Sequence, residues 1–244
     1  MKIIDVNLSI GGRDSEGQLI DSERLLSVMG DFRVSHGVCY HQYAKLDPKY
    51  GNTIMAEISK HSGGKLGVCA VLDPVLGEEN LPGEGDLKAR LEQFQPEAIR
   101  IFPDECRVPF HPFYWGKILD VANALSLPLI VDCSYSGEFL TRLPDITAQY
   151  PQVKFILVGH GFCNSRSVFP LLTMRNNVYF TIERMLDNLL IEEIYEVCGC
   201  GNLLFGSSYP LRSPAGALGL ALYANIPAAE REKILSKNWE EMQI

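Results

Sequence analysis

Eight short apolar runs recur along this chain at intervals of about 30 residues, and they constrain the fold more than any other feature. They are Ile3–Leu8, Val34–Tyr40, Leu66–Leu72, Ala98–Phe102, Pro128–Val131, Lys154–Val158, Val178–Ile182 and Leu203–Phe205. Each is continuous, as expected of strands buried on both faces of a parallel sheet. Helical patterns fill the intervals. Asp21 or Ser22 can cap a helix carrying Leu25, Leu26 and Met29, with Gly30 placed to end it. Asp86 can cap another with Leu87, Leu91 and Phe94 on one face. Trp115, Ile118, Leu119, Ala122 and Leu125 follow amphipathic spacing, as do Leu190, Ile191, Ile194 and Val197. Pro144 is expected in the first turn of a helix, where proline is well tolerated.

Strands alternating with helices leave two architectures, a closed (β/α)8 TIM barrel or an open doubly wound sheet. The 244 residues suit a single barrel of roughly 250. No G-x-G-x-x-G follows the first strand, which weakens a dinucleotide-binding open sheet. The longest turn-rich stretch, Gly77 to Gly85, is too short for a linker, so residues 1–244 read as one domain. The net charge of −8 argues against a nucleic-acid partner, which needs a clustered basic surface. No run approaches the roughly 18 apolar residues of a membrane span, and the N-terminus lacks signal-peptide anatomy. The seven cysteines are odd in number and scattered, and Cys198-Gly-Cys200 is too tight for paired zinc ligands. Reduced cysteines in a cytoplasmic protein are the expectation.

In a barrel of this kind the reactive groups lie where strands end. The ends offer Asn7 and Ser9, Tyr40 and His41, Arg100 within strand four, Asp132 through Ser134, Gly159-His160-Gly161, Glu183-Arg184, and Ser207-Ser208. Asp132 must find a partner or a wet cavity, because a carboxylate buried alone is costly. It is either an acid/base or anchoring group, or one half of a structural ion pair. Arg100, flanked by Ile99 and Ile101, either points inward to hold an anion or outward to a helix. Asn7 can position a ligand by hydrogen bonds or brace a loop. His41 is a proton shuttle or a structural histidine.

Several segments together resemble the amidohydrolase-related barrels, amidohydrolase family 2. These are Ile3-Ile4-Asp5-Val6-Asn7-Leu8-Ser9, Leu127-Pro128 leading to Asp132, Tyr150-Pro151 leading through Lys154 to His160-Gly161, Leu204-Phe205-Gly206-Ser207-Ser208-Tyr209-Pro210, and the closing Arg231 to Asn238. The resemblance spans nearly the whole chain and implies the barrel and a hydrolase. In metal-dependent members the ligands are two His after strand one, a His after strand five, a His after strand six and an Asp after strand eight. The corresponding residues here are Asn7, Ser9, Asp132, Gly159 or His160, and Ser208. A catalytic zinc needs about three good protein ligands, so no tightly bound metal is expected.

The resulting expectation is a metal-independent hydrolase, without a cofactor, acting on a small amide, lactone or carboxylate. Asp132, His160 and His41 would carry the catalysis, and Asn7, Arg100, Ser134, Glu183 and Ser208 would bind substrate. A non-catalytic binding protein that kept the pocket is the alternative. A homo-oligomer is compatible with either.

Overall fold

The computed structural model describes residues 1–74, 77–132, 137–158 and 165–243. Eight parallel strands follow one another in chain order: β1 (Ile4–Ile10), β2 (His36–His41), β3 (Leu66–Val71), β4 (Ala98–Ile101), β5 (Leu129–Asp132), β6 (Phe155–Val158), β7 (Val178–Thr181) and β8 (Leu203–Leu204). All eight coincide with the apolar runs. Around them lie α1 (Ser22–Asp31), α2 (Pro48–His61), α3 (Leu87–Phe94), the short α4 (Pro103–Cys106), α5 (Pro112–Leu125), α6 (Gly137–Gln149), α7 (Ser165–Met174) and α8 (Leu190–Cys198). After β8 come α9 (Pro214–Tyr223), α10 (Ala228–Glu232), a π-helical turn (Lys233–Lys237) and α11 (Asn238–Met242). This is a (β/α)8 barrel.

The helix starts follow their caps. Asp21 accepts the Arg24 amide at 2.8 Å and Asp86 accepts the Ala89 amide at 2.9 Å. Gly30 does not end α1, which runs on to Asp31. Pro144 lies inside α6 rather than in its first turn. Its carbonyl is held at 3.1 and 3.3 Å by the guanidinium of Arg175, just after α7, a contact that no local rule could supply. Val197 is 59% exposed, off the packed face of α8. No helix among the described residues is long and apolar enough to cross a membrane.

Two apolar layers separate at the sheet. Helix residues such as Leu25, Leu91, Trp115 and Leu119 pack on the outward side chains of the strands. Inside the ring lie Ile4, Val6, Val38, Cys69, Val71, Ile130 and Ile156, together with Trp239 and Met242 of α11. Lys2 pairs with Glu240 at 2.6 Å, and the Gln243 amide donates to the Glu97 carbonyl at 3.4 Å. These contacts hold α11 across the N-terminal ends of β1 and β4. Trp239 therefore plugs one end, and the polar residues collect at the other.

The β1–β2 register slips by one residue: Asp5 pairs with Gly37 but Leu8 pairs with Cys39. A bulge of this sort re-aims side chains. Val6 faces inward and Leu8 outward, so the alternation flips between them, and Asn7 and Ser9 turn toward the interior. Asp5 sits at this point. Its Oδ1 accepts the amides of Asn7 and Ser207, each at 3.0 Å. With Val6 N–H to the Phe205 carbonyl and Ser9 N–H to the Tyr209 carbonyl, both 3.0 Å, it joins the first strand to the last.

Burial raises the Asp5 carboxyl to about 6, against lowering hydrogen bonds from Ser207 and Asn7. The unfolded value is near 3.8, so between these two pH values the folded chain keeps a proton that the unfolded chain has lost. Stability from this group is therefore full below pH 3.8 and is lost as pH rises through about 6. Asp5→Asn, which keeps the acceptor without the charge, should gain about 2 kcal/mol on the natural chain between pH 4 and pH 7. Denaturant unfolding at both pH values checks this, and a pH-independent difference would remove the charge from the account.

Candidate active site

At the C-terminal end of the strands a cavity of about 440 Å³ opens. Its walls include Asn7, Ser9, Tyr40, Lys45, Arg100 and Asp132, and its rim includes Arg184, Ser208, Tyr209 and Arg212. Arg100 is the centre. Strand alternation turns Ile99 and Ile101 out to the helices and Arg100 into the barrel. A buried cation must be paired, and this one is. Its Nη1 donates to Asn7 Oδ1 at 2.7 Å and its Nη2 to Asp132 Oδ2 at 2.5 Å. The guanidinium lies 4.6 Å from the Tyr40 ring centroid and 5.1 Å from that of Phe102. Both contacts are within cation–π range. Burial disfavours the cation, but Asp132, with Tyr40 and Cys69 beside it, more than offsets this and holds the pKa above the ordinary arginine value.

The Arg100 bond fixes the orientation of the Asn7 amide. With Oδ1 taken, Asn7 Nδ2 donates to Glu183 Oε1 at 3.0 Å and to Ser208 Oγ at 2.7 Å, and Ser208 donates to the same Glu183 oxygen at 3.3 Å. Ser208 adopts φ +59°, a left-handed conformation that costs a non-glycine residue energy. Gly206 lets the strands close here, because a Cβ there would lie 2.9 Å from the Asn7 Cβ. Ser9 accepts from Gln42 at 2.9 Å, and the hydroxyl of Tyr40, whose pKa burial raises, also meets Ser9. Above Arg100, Lys45 pairs with Glu105 at 2.6 Å and stands 4.4 Å over the Phe102 ring.

Of the residues singled out from sequence, Asn7, Arg100, Asp132, Glu183 and Ser208 are joined in one bonded network. His41 stands apart from the cavity walls. Its Nδ1 accepts the Tyr43 amide at 3.1 Å, and its ring packs on Gly11, where a Cβ would lie 2.4 Å from Nε2. Burial lowers its pKa. His160 and Ser134 lie outside the described residues. Tyr40, a strand-end residue in the sequence, lines the cavity, whereas Lys45, Glu105 and Arg212 were not among the sequence candidates. These three sit in segments beyond strand ends, where only a count of charges per loop could have drawn attention to them.

A family model for amidohydrolases (Amidohydro_2) matches residues 28–242. The chain belongs to the amidohydrolase family. The match begins after β1, so Asn7 and Ser9 fall outside it. Solved structures share the fold of this chain at low identity. An uncharacterised TIM-barrel protein from Bordetella bronchiseptica is 16% identical with a TM-score of 0.78, over 99% of this chain and 98% of that one. The 5-carboxyvanillate decarboxylase of Sphingomonas paucimobilis is 12% identical with a TM-score of 0.75, over 99% and 98%. A dihydroxybenzoic acid decarboxylase from Polaromonas, solved with bound manganese and 2-nitroresorcinol, is 14% identical with a TM-score of 0.74, over 99% and 96%. No curated protein sequence matches this chain.

The two ends of the ion pair differ in exposure. The Arg100 side chain is 4% exposed and that of Asp132 is 35% exposed. Asp132→Leu strands a buried cation and should cost about 3 kcal/mol. Arg100→Met leaves a carboxylate that water can still reach and should cost less than half as much. The double variant should be more stable than Asp132→Leu alone. Equal losses for the two single variants, measured by denaturant unfolding, would contradict the asymmetry.

Proposed function

We propose that this amidohydrolase-family chain hydrolyses a small carboxylate-bearing lactone or amide at the barrel mouth, without a tightly bound metal. The sign of the cavity carries the reading. Lys45, Arg100, Arg184 and Arg212 face Glu105 and Asp132 there, an excess of positive charge in a chain of net charge −8. Focused positive potential of this kind draws in small anions.

The donor set supports the metal-free part. Asn7, Ser9 and Ser208 are neutral, and the Asp132 carboxylate is already engaged by the Arg100 guanidinium. Among the described residues no three His, Cys, Asp or Glu side chains gather as a metal ion requires. A divalent ion placed among these groups would stand beside a buried, fixed cation and be repelled by it. On this reading the described residues at the mouth do not fit a tightly held metal.

Two of the five guanidinium N–H groups serve Asn7 and Asp132. The remaining Nη–H groups, with Lys45, would hold the substrate carboxylate or the carbonyl oxygen on which charge develops. Asp132 would accept a proton from water as the water oxygen bonds to the carbonyl carbon. It would return that proton to the leaving oxygen or nitrogen as the carbon–heteroatom bond breaks. His160 is its partner on the sequence reading, and His41, committed to its cap, takes a structural part. One observation favours a second reading, a binding protein without turnover: Asp132 Oδ2 is already committed to Arg100.

Metal-stripped protein assayed against small lactones and amides bearing a carboxylate should show hydrolysis that survives chelators. Asp132→Asn should lower kcat by about 10²–10⁴-fold. Lys45→Ala should raise KM about ten-fold, on the scale of one lost charge contact. If every carboxylate tested stabilises the protein but none is turned over, the binding reading replaces hydrolysis. If none binds, both fall.

A further inference from the structure

We infer that Arg100 is the resident cation of this barrel: its guanidinium supplies the positive charge that a divalent ion would supply, and the oxygens around it form a hard-cation site that its removal would open. The inference rests on the reading of the mouth as a site that works without a metal, and it goes on to explain why.

The geometry is that of a coordination shell gathered round an organic cation. Arg100 on β4 is held by Asn7 Oδ1 from β1 at 2.7 Å and by Asp132 Oδ2 from β5 at 2.5 Å. Behind Asn7 stand Glu183 Oε1, just after β7, and Ser208 Oγ, just after β8, at 3.0 and 2.7 Å. Arg100 thus bonds two oxygens directly and, through the Asn7 amide, orders two more, so oxygens from four strands or the segments just beyond them are set by one side chain. Those oxygens comprise two carboxylates, an amide and a hydroxyl, the donor class that suits manganese, magnesium or calcium rather than zinc.

The charges point the same way. Arg100 is 3% exposed, and its guanidinium carbon lies within 5.1 Å of the Tyr40 and Phe102 ring centroids, so it has no room to swing aside for a second cation. A guanidinium is also charged at every working pH. Its Nε–H is buried without a hydrogen-bond partner among the described residues. A buried donor left unsatisfied is a cost that packing alone does not require. The arrangement tolerates that cost while keeping both Nη atoms on oxygen. Removing the guanidinium would leave the Asn7 carbonyl and Asp132 facing an emptied volume, with an amide free to turn its oxygen as a ligand.

The test is titration with Mn²⁺, read as the loss of the free-ion paramagnetic resonance signal and by calorimetry. The proteins are the natural chain, Asp132→Asn, Arg100→Met, Arg100→Gln and Arg100→Met/Asp132→Asn. The natural chain should show no saturable site. At least one neutral variant that retains its barrel by circular dichroism should bind one Mn²⁺ at least about ten-fold tighter than the natural chain. The double variant should lose that binding. A natural chain that binds Mn²⁺ in a manner abolished by Asp132→Asn overturns the inference, and this arm needs no Arg100 variant to fold. Folded neutral variants as indifferent to Mn²⁺ as the natural chain also overturn it. Because the readout is occupancy rather than turnover, failure of the hydrolysis screen leaves this result standing, and the reverse holds as well.

Discussion

A cation inside a parallel barrel must be neutralised where water does not reach, and the mouth of this barrel is arranged around that requirement. Arg100 sits mid-strand between two isoleucines that face the helices. The same alternation that buries them sends the guanidinium inward. Once there it needs oxygen on both Nη atoms and polarisable surface on its faces. Asn7 and Asp132 meet the first need, and the Tyr40 and Phe102 rings meet the second. Because these groups come from different strands, the charge orders the end of the sheet. It sets the Asn7 amide, and the Asn7 amide sets Ser208 and Glu183.

The first strand is where fold and site are one problem. An extra residue between Asp5 and Leu8 breaks the alternation and brings Asn7 and Ser9 inside. A regular strand would have put Leu8 in their place. The bulge leaves backbone amides that need acceptors, and the buried Asp5 carboxylate takes two of them, one from β1 and one from the chain after β8. The carboxylate that closes the ring therefore also braces the residue that receives Arg100. Gly206 completes the junction by leaving room for Asn7.

Around this centre the cavity carries further charge. The Lys45–Glu105 pair comes from segments after β2 and β4 and lies over the same aromatic pair from above. Arg212, on the chain after β8, lies at the rim. Exposed ion pairs contribute little to stability, so these charges act chiefly through the potential of the opening.

The barrel was legible in the residue order because parallel strands buried on both faces must be continuous apolar runs, and helices between them must carry a single apolar stripe. The eight runs, the Asp21 and Asp86 caps and the lack of a dinucleotide loop needed no tertiary knowledge. The family resemblance likewise followed from local segments, and Asn7, Arg100, Asp132, Glu183 and Ser208 could be named as strand-end candidates. What sequence left open was direction and partnership. Whether Arg100 faced in or out and whether Asn7 met it depended on a register slip and on a contact 93 residues apart, and His41 capped a turn two residues on while its ring packed on Gly11 of the preceding strand's end. Pro144 lies inside α6 rather than at its start, and its carbonyl bonds an arginine about 30 residues away, just after α7. Periodicity is a property of neighbours along the chain, and it decides which element forms. The balance of a buried charge is a property of neighbours in space, and only the closed ring decides that.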